Sequence, residues 1–79
     1  MESFLNKVMY DIFRQRDKLL YKYIMPKYLI VSVDVYLKMK SDRDFLNYVS
    51  SGIDKDKIFD LEIIIRKGEE KNYLEVVGS

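Results

Sequence analysis

The chain contains no cysteine, histidine, tryptophan, alanine or threonine, and it has one proline and three glycines in 79 residues. Without cysteine there is no disulfide framework, no thiolate nucleophile and no cysteine-based zinc or iron–sulfur site, and the redox compartment is left open. Without histidine the commonest general base and metal ligand is missing, and no serine has an imidazole to activate it. Gly52, Gly68 and Gly78 lie too far apart to form a loop that cradles phosphate. No apolar run approaches the roughly 20 residues of a membrane helix, and Met1 to Phe4 lack the basic stretch that opens a signal peptide. The expectation is a cytoplasmic protein without a membrane partner.

What is present is globular in kind, with 48% hydrophobic and 34% charged residues. One domain spanning 1–79 is expected, and a chain of this size buries only about 60% of its unfolded surface. A second copy is therefore expected to add burial, making the protein a homo-oligomer. Fourteen basic and thirteen acidic residues leave a net charge of +1, so no global field draws nucleic acid. Lysine and isoleucine are abundant and alanine is absent, the usage of AT-rich codons, which points to a low-GC bacterium or its phage.

Hydrophobic spacing organises the chain. From Phe4 to Tyr23 there is no Gly or Pro, and Leu5, Met9, Ile12, Leu19 and Tyr23 recur three or four apart, which predicts an amphipathic helix over 4–24 capped by Ser3 and ended by Pro26. Its apolar residues fill an arc of roughly 140°, wider than a single packing partner needs, and Arg16 sits in the middle of it. Residues 27–33 are apolar and β-branched and read as a strand. A helix over 34–51 follows, capped by Ser32 or Asp34, broken near Ser41 and stopped by Gly52. Strands over 60–67 and 72–77 complete the pattern, with Gly68 to Lys71 as the hairpin loop between them. The fold class is thus α+β: an N-terminal helix, then β-α-β-β, with a small three-stranded mixed sheet packed with helices.

Strand alternation places Leu29, Val31, Val33, Leu61, Ile63, Ile65, Leu74 and Val76 on a core face. The other face holds Tyr28, Ile30, Ser32, Glu62, Ile64, Arg66, Tyr73, Glu75 and Val77. It is mixed in polarity, to be covered by the N-terminal helix or by a partner. Arg16 is expected to couple to a carboxylate, either Glu62 or Glu75 if the helix covers that face or one on a neighbouring subunit, since an unpaired charge in an apolar stripe is costly.

The search for chemistry finds neither a catalytic nor a metal site, and no cofactor is implied. Asp54, Asp56 and Asp60 fail the calcium-loop spacing, with Ile58 where an oxygen ligand is needed and Phe59 where glycine is needed. Asp60 with Glu69-x-Lys71 superficially matches a nuclease pattern, but the Glu-x-Lys falls in a polar turn. Two binding surfaces remain. Arg16, Tyr28, Ile30, Ile64 and Tyr73 form a candidate protein interface. Lys7, Tyr10, Arg14, Lys18, Tyr21 and Lys22 form a basic, tyrosine-bearing helix face suited to phosphates and bases, the second reading.

Two resemblances bear on these readings. The stretch Lys27 to Lys40 resembles the strand and helix of a ribbon-helix-helix repressor, but Tyr28, Ile30 and Ser32 stand at the base-reading positions and the inter-helix glycine is missing. From Pro26 onward, the apolar strand running into Val31 to Lys38 (VSVDVYLK), then LEIII at 61–65 and YLEVV at 73–77, resembles small phage-encoded proteins and the peripheral domain of tailed-phage capsid proteins. The chain departs from that pattern at Asp60, where the second strand usually opens on glycine. The resemblance implies a phage origin, residence in the host cytoplasm or virion, and a role in protein contact with a host or virion partner.

Overall fold

The computed structural model describes residues 4–51 and 56–78. Ser3, Gly52 and Asp54, read above as an N-cap, a helix stop and a loop carboxylate, lie outside the described residues. The first helix, α1 (Phe4–Tyr21), stops before the expected residue 24 and well before Pro26. Tyr23 is the cause: it adopts a left-handed φ of 62°, Ile24 N–H donates to Leu19 O at 2.9 Å, and Tyr23 N–H donates to Leu20 O at 3.0 Å. These paired bonds close the last turn as a Schellman motif, with tyrosine in the position that glycine usually fills.

Pro26 instead opens the first strand, β1 (Pro26–Ser32), which leads directly into α2 (Val33–Lys40). The expected break near Ser41 is present, and Ser41 ends α2. The expected continuation to 51 is not: a single turn, α3 (Phe45–Tyr48), gives way to β2 (Val49–Ser51). Four residues are too few to sustain a helix, and β-branched Val49 buries itself by pairing opposite Ile58 of β3 (Asp56–Ile58). Phe59 and Asp60, with φ of 51° and 65°, then form a two-residue turn into β4 (Leu61–Arg66), so Asp60 is a turn residue and not the first of its strand.

The sheet is mixed and five-stranded in the order β2-β3-β4-β1-β5, with β5 spanning Leu74–Gly78. The α+β class is as read from sequence, but β2 and β3 were not expected. The expected hairpin between the last two strands is also absent. β4 runs parallel to β1 on one side, and β5 runs antiparallel to β1 on the other. The most apolar strand thereby has both edges paired, and the link from Lys67 to Tyr73 steps over its C-terminal end.

The helices pack on one face of the sheet. Leu29, Val31, Leu61 and Val76 are buried there with Leu5, Val8 and Ile12 of α1 and Val35 and Met39 of α2. Two expected core residues are exposed instead: Val33 at 43%, because the strand has already turned into α2, and Ile65 at 40%, towards the far end of β4. The wide apolar arc of α1 resolves into two stripes. Leu5, Val8, Ile12, Gln15 and Leu19 face the sheet, whereas Met9, Phe13, Arg16 and Leu20 run alongside, where Phe13 meets the Phe59 ring at 4.8 Å.

Candidate interaction surface

Among the described residues no element covers the second face of the sheet, because α1 and α2 both pack on the first. Register sets its layout in three rows. Glu62, Tyr28 and Val77 lie across β4, β1 and β5; Ile64, Ile30 and Glu75 form the next row; Arg66 and Ser32 lead to Tyr73 in the third. Tyr28, Ile30 and Val77 are half-buried, and Ile64 is 39% exposed. Lys57 of β3 extends the first row beside Glu62.

Aromatic and charged groups border this apolar centre. The Arg66 guanidinium lies 4.8 Å from the Tyr73 ring centre and 3.4 Å from Glu70, and Lys27 Nζ lies 5.3 Å from the Tyr28 ring centre. Tyr73 O–H donates to Glu75 Oε2, and this bond, more than burial, raises the phenol above its ordinary pKa. The hydroxyl therefore stays a donor throughout the neutral range.

Four of the five residues read as a protein interface, Tyr28, Ile30, Ile64 and Tyr73, therefore share one surface. Arg16 does not. Because α1 lies on the opposite face, Arg16 is remote from the face carrying Glu62 and Glu75, and the expected pairing with either carboxylate is not formed. Its guanidinium instead lies 4.8 Å from the Phe13 ring centre, and its buried Nε has no hydrogen-bond partner among the described residues.

The basic set, Lys7, Tyr10, Arg14, Lys18, Tyr21 and Lys22, is exposed along the outer side of α1 and just past its end. Tyr10 and Tyr21 are 65% and 87% exposed. Arg14 is engaged by Asp11 at 2.6 Å, which lowers the free positive charge of this stripe.

A polar seam beside the open face was not anticipated. Ser32 occupies the N-cap position of α2 but makes no side-chain cap bond. Its hydroxyl donates to Asp34 Oδ1 and accepts Tyr73 N–H at 3.1 Å, while Asn72 N–H donates to Asp34 Oδ2 at 3.0 Å. The hydrogen bond from Ser32, followed by that from Asn72, holds the Asp34 carboxyl below its ordinary pKa. Ser32 and Asp34 were recognised as cap formers, but their capacity is spent on the link that crosses β1. Tyr36 O–H similarly reaches Asp56 Oδ2 at 3.3 Å, and burial raises its pKa.

Among the described residues no group of three Asp, Glu, His or Cys side chains is placed to hold a metal, and no helix is long and apolar enough to cross a membrane. No family model, curated protein or solved structure matches the chain.

Proposed function

We propose that the chain is a non-enzymatic protein-interaction module that pairs with a second copy through the open sheet face and docks on a host or virion protein. The observation that supports it is the contrast between the two sheet faces: one is sealed by helices, and the other presents Tyr28, Ile30, Ile64 and Val77 with no described element over them. A one-sided sheet with an apolar centre gains by covering that centre, and a fold of 79 residues has little burial to spare. Arg66, Lys57, Glu62 and Glu75 border the same face with both signs of charge, so two identical surfaces do not simply repel. The phage origin and the class of the second partner follow the resemblance of residues 26–77, and the low-GC origin follows the abundance of lysine and isoleucine and the absence of alanine.

Sedimentation at micromolar concentration tests the pairing. A dimer or higher oligomer that becomes monomeric in Ile30→Lys and Ile64→Lys, with unchanged circular dichroism, is the expected result. A monomeric wild type, or an oligomer indifferent to both substitutions, refutes it.

A second reading, nucleic-acid binding by the outer face of α1, is favoured by the single stripe of exposed lysines with Tyr10 and Tyr21. It requires affinity for single-stranded oligonucleotide that falls steeply with salt and is lost in Lys18→Glu. Protein pairing through the open face is insensitive to that substitution.

A further inference from the structure

A groove on the opposite side of the molecule holds the one buried side-chain nitrogen that lacks a hydrogen-bond partner among the described residues, Arg16 Nε. The groove runs between the end of α1 and the β3–β4 turn, and Leu20, Met25, Pro26 and Phe59 line it beside Arg16. Burying a guanidinium nitrogen without an acceptor is unfavourable, and native proteins rarely leave such a group unmet. Among the described residues no carboxylate forms an ion pair with Arg16. Asp60 borders the same groove, but it is exposed and its backbone is committed to the left-handed turn.

The walls are fixed in advance. Phe59 is a bulky residue at a φ of 51°, a conformation that costs a side chain of this type, and its ring is held by Phe13 at 4.8 Å and Tyr48 at 6.1 Å. Phe13 in turn supports the Arg16 guanidinium from below. The arginine is thus oriented by stacking and not by a partner anion. At the rim, Leu20 is 46% and Met25 69% exposed, an apolar lip beside the cation. Arginine, methionine and aromatic residues around a desolvated centre are the composition of a binding hot spot.

We infer that this groove receives a segment of a partner protein carrying a carboxylate side chain flanked by apolar residues. The carboxylate pairs with the Arg16 guanidinium where Arg16 borders the groove, and the flanking side chains cover Leu20 and Met25. This contact is independent of the open sheet face.

Selection of random ten-residue displayed peptides on the immobilised protein tests the inference. The expected consensus is one Asp or Glu with Leu, Met or an aromatic residue within two positions. Binding of a selected peptide should fall by about tenfold or more in Arg16→Gln, in Arg16→Lys, which keeps the charge but loses the fork, and on changing the peptide's acid to its amide. Thermal melts confirm that both variants fold, and Ile30→Lys serves as the control that leaves this binding intact while abolishing self-association. Failure to select any peptide, a consensus without an acid, or equal binding by Arg16→Gln overturns the inference. A double-mutant cycle in which Arg16→Gln and Asp60→Asn are strongly coupled in the free protein overturns it too, since Arg16 then has its anion within the chain.

Discussion

Gln15 offers the sharpest test of how the two layers are joined. It lies on the sheet-facing stripe of α1, and its side-chain amide meets the outer edge of β5: Oε1 accepts Val76 N–H at 2.8 Å, and Nε2 donates to Leu74 O at 3.3 Å. The amide therefore serves these two groups as a further strand would. Val76 is buried, so water cannot freely replace the first bond. An unsatisfied buried N–H costs about 1–3 kcal/mol, and a longer bond open to water contributes about 0.5–1 kcal/mol. The added apolar area of leucine returns part of this, and Gln15→Leu should lose about 2 kcal/mol, equivalent to a fall in Tm of about 8–16 °C for a domain this small. Gln15→Glu should fall between, because its carboxylate still accepts from Val76 but faces Leu74 O without a proton, and its deficit should shrink as the pH is lowered and a donor returns. Urea midpoints of the three proteins at matched pH make the comparison. A Gln15→Leu protein within about 0.5 kcal/mol of wild type would refute the reasoning, since surface substitutions stay in that range.

Ser32→Ala should destabilise by about 1–3 kcal/mol, because Ser32 is 1% exposed and its loss strands Tyr73 N–H; faster amide exchange at Tyr73, alongside a lower urea midpoint, is the specific sign. The Asp34 carboxyl has a native pKa below its ordinary 3.8, so the unfolded chain binds more protons there, and its contribution is fully present above that value and is lost as pH falls through the lower native one. Asp34→Asn should therefore be less stable than wild type at pH 7, with the gap closing on acidification below about pH 4; a gap that stays constant contradicts the assignment. Tyr23→Gly should raise stability by about 0.5–1 kcal/mol, since it removes a left-handed tyrosine whose side chain is 98% exposed; a lower melting temperature would mean that the ring makes a stabilising contact.

The helix, the strands β1, β4 and β5 and the two sheet faces were legible because each rests on periodicity over several residues. Leu29, Val31, Leu61 and Val76 fell on the buried side by parity alone. The pairing was less legible. LEIIIR followed by Gly68 and then YLEVV reads as a hairpin, and nothing local in that stretch reports that β1 competes for both edges. Asp56 to Ile58 was missed because three residues carry no period, and Phe59-Asp60 was missed because a left-handed turn normally advertises itself with Asn or Gly. Arg16 stands out in the sequence, but its pairing with Glu62 or Glu75 within the chain does not form, since its neighbours depend on which sheet face the helix chooses. Gln15 carried a signal that was available: a polar residue three positions after Ile12, on the buried stripe, needs a hydrogen-bonding partner.

The strand order has a kinetic consequence. β1 pairs with β5 about forty-five residues later in the chain, and Gln15 reaches Val76 across 61 residues. Local segments such as α1 and the β3–β4 turn can form early, but the central strand keeps one edge unpaired until residues 74–78 arrive. Closing such long loops before any contact rewards them slows folding relative to a helical chain of this length. Between synthesis of β1 and synthesis of β5, the most apolar strand in the protein is an open template for a neighbouring chain. Shortening the chain before Leu74 would make that interval permanent, and the product should aggregate instead of persisting as a smaller folded unit.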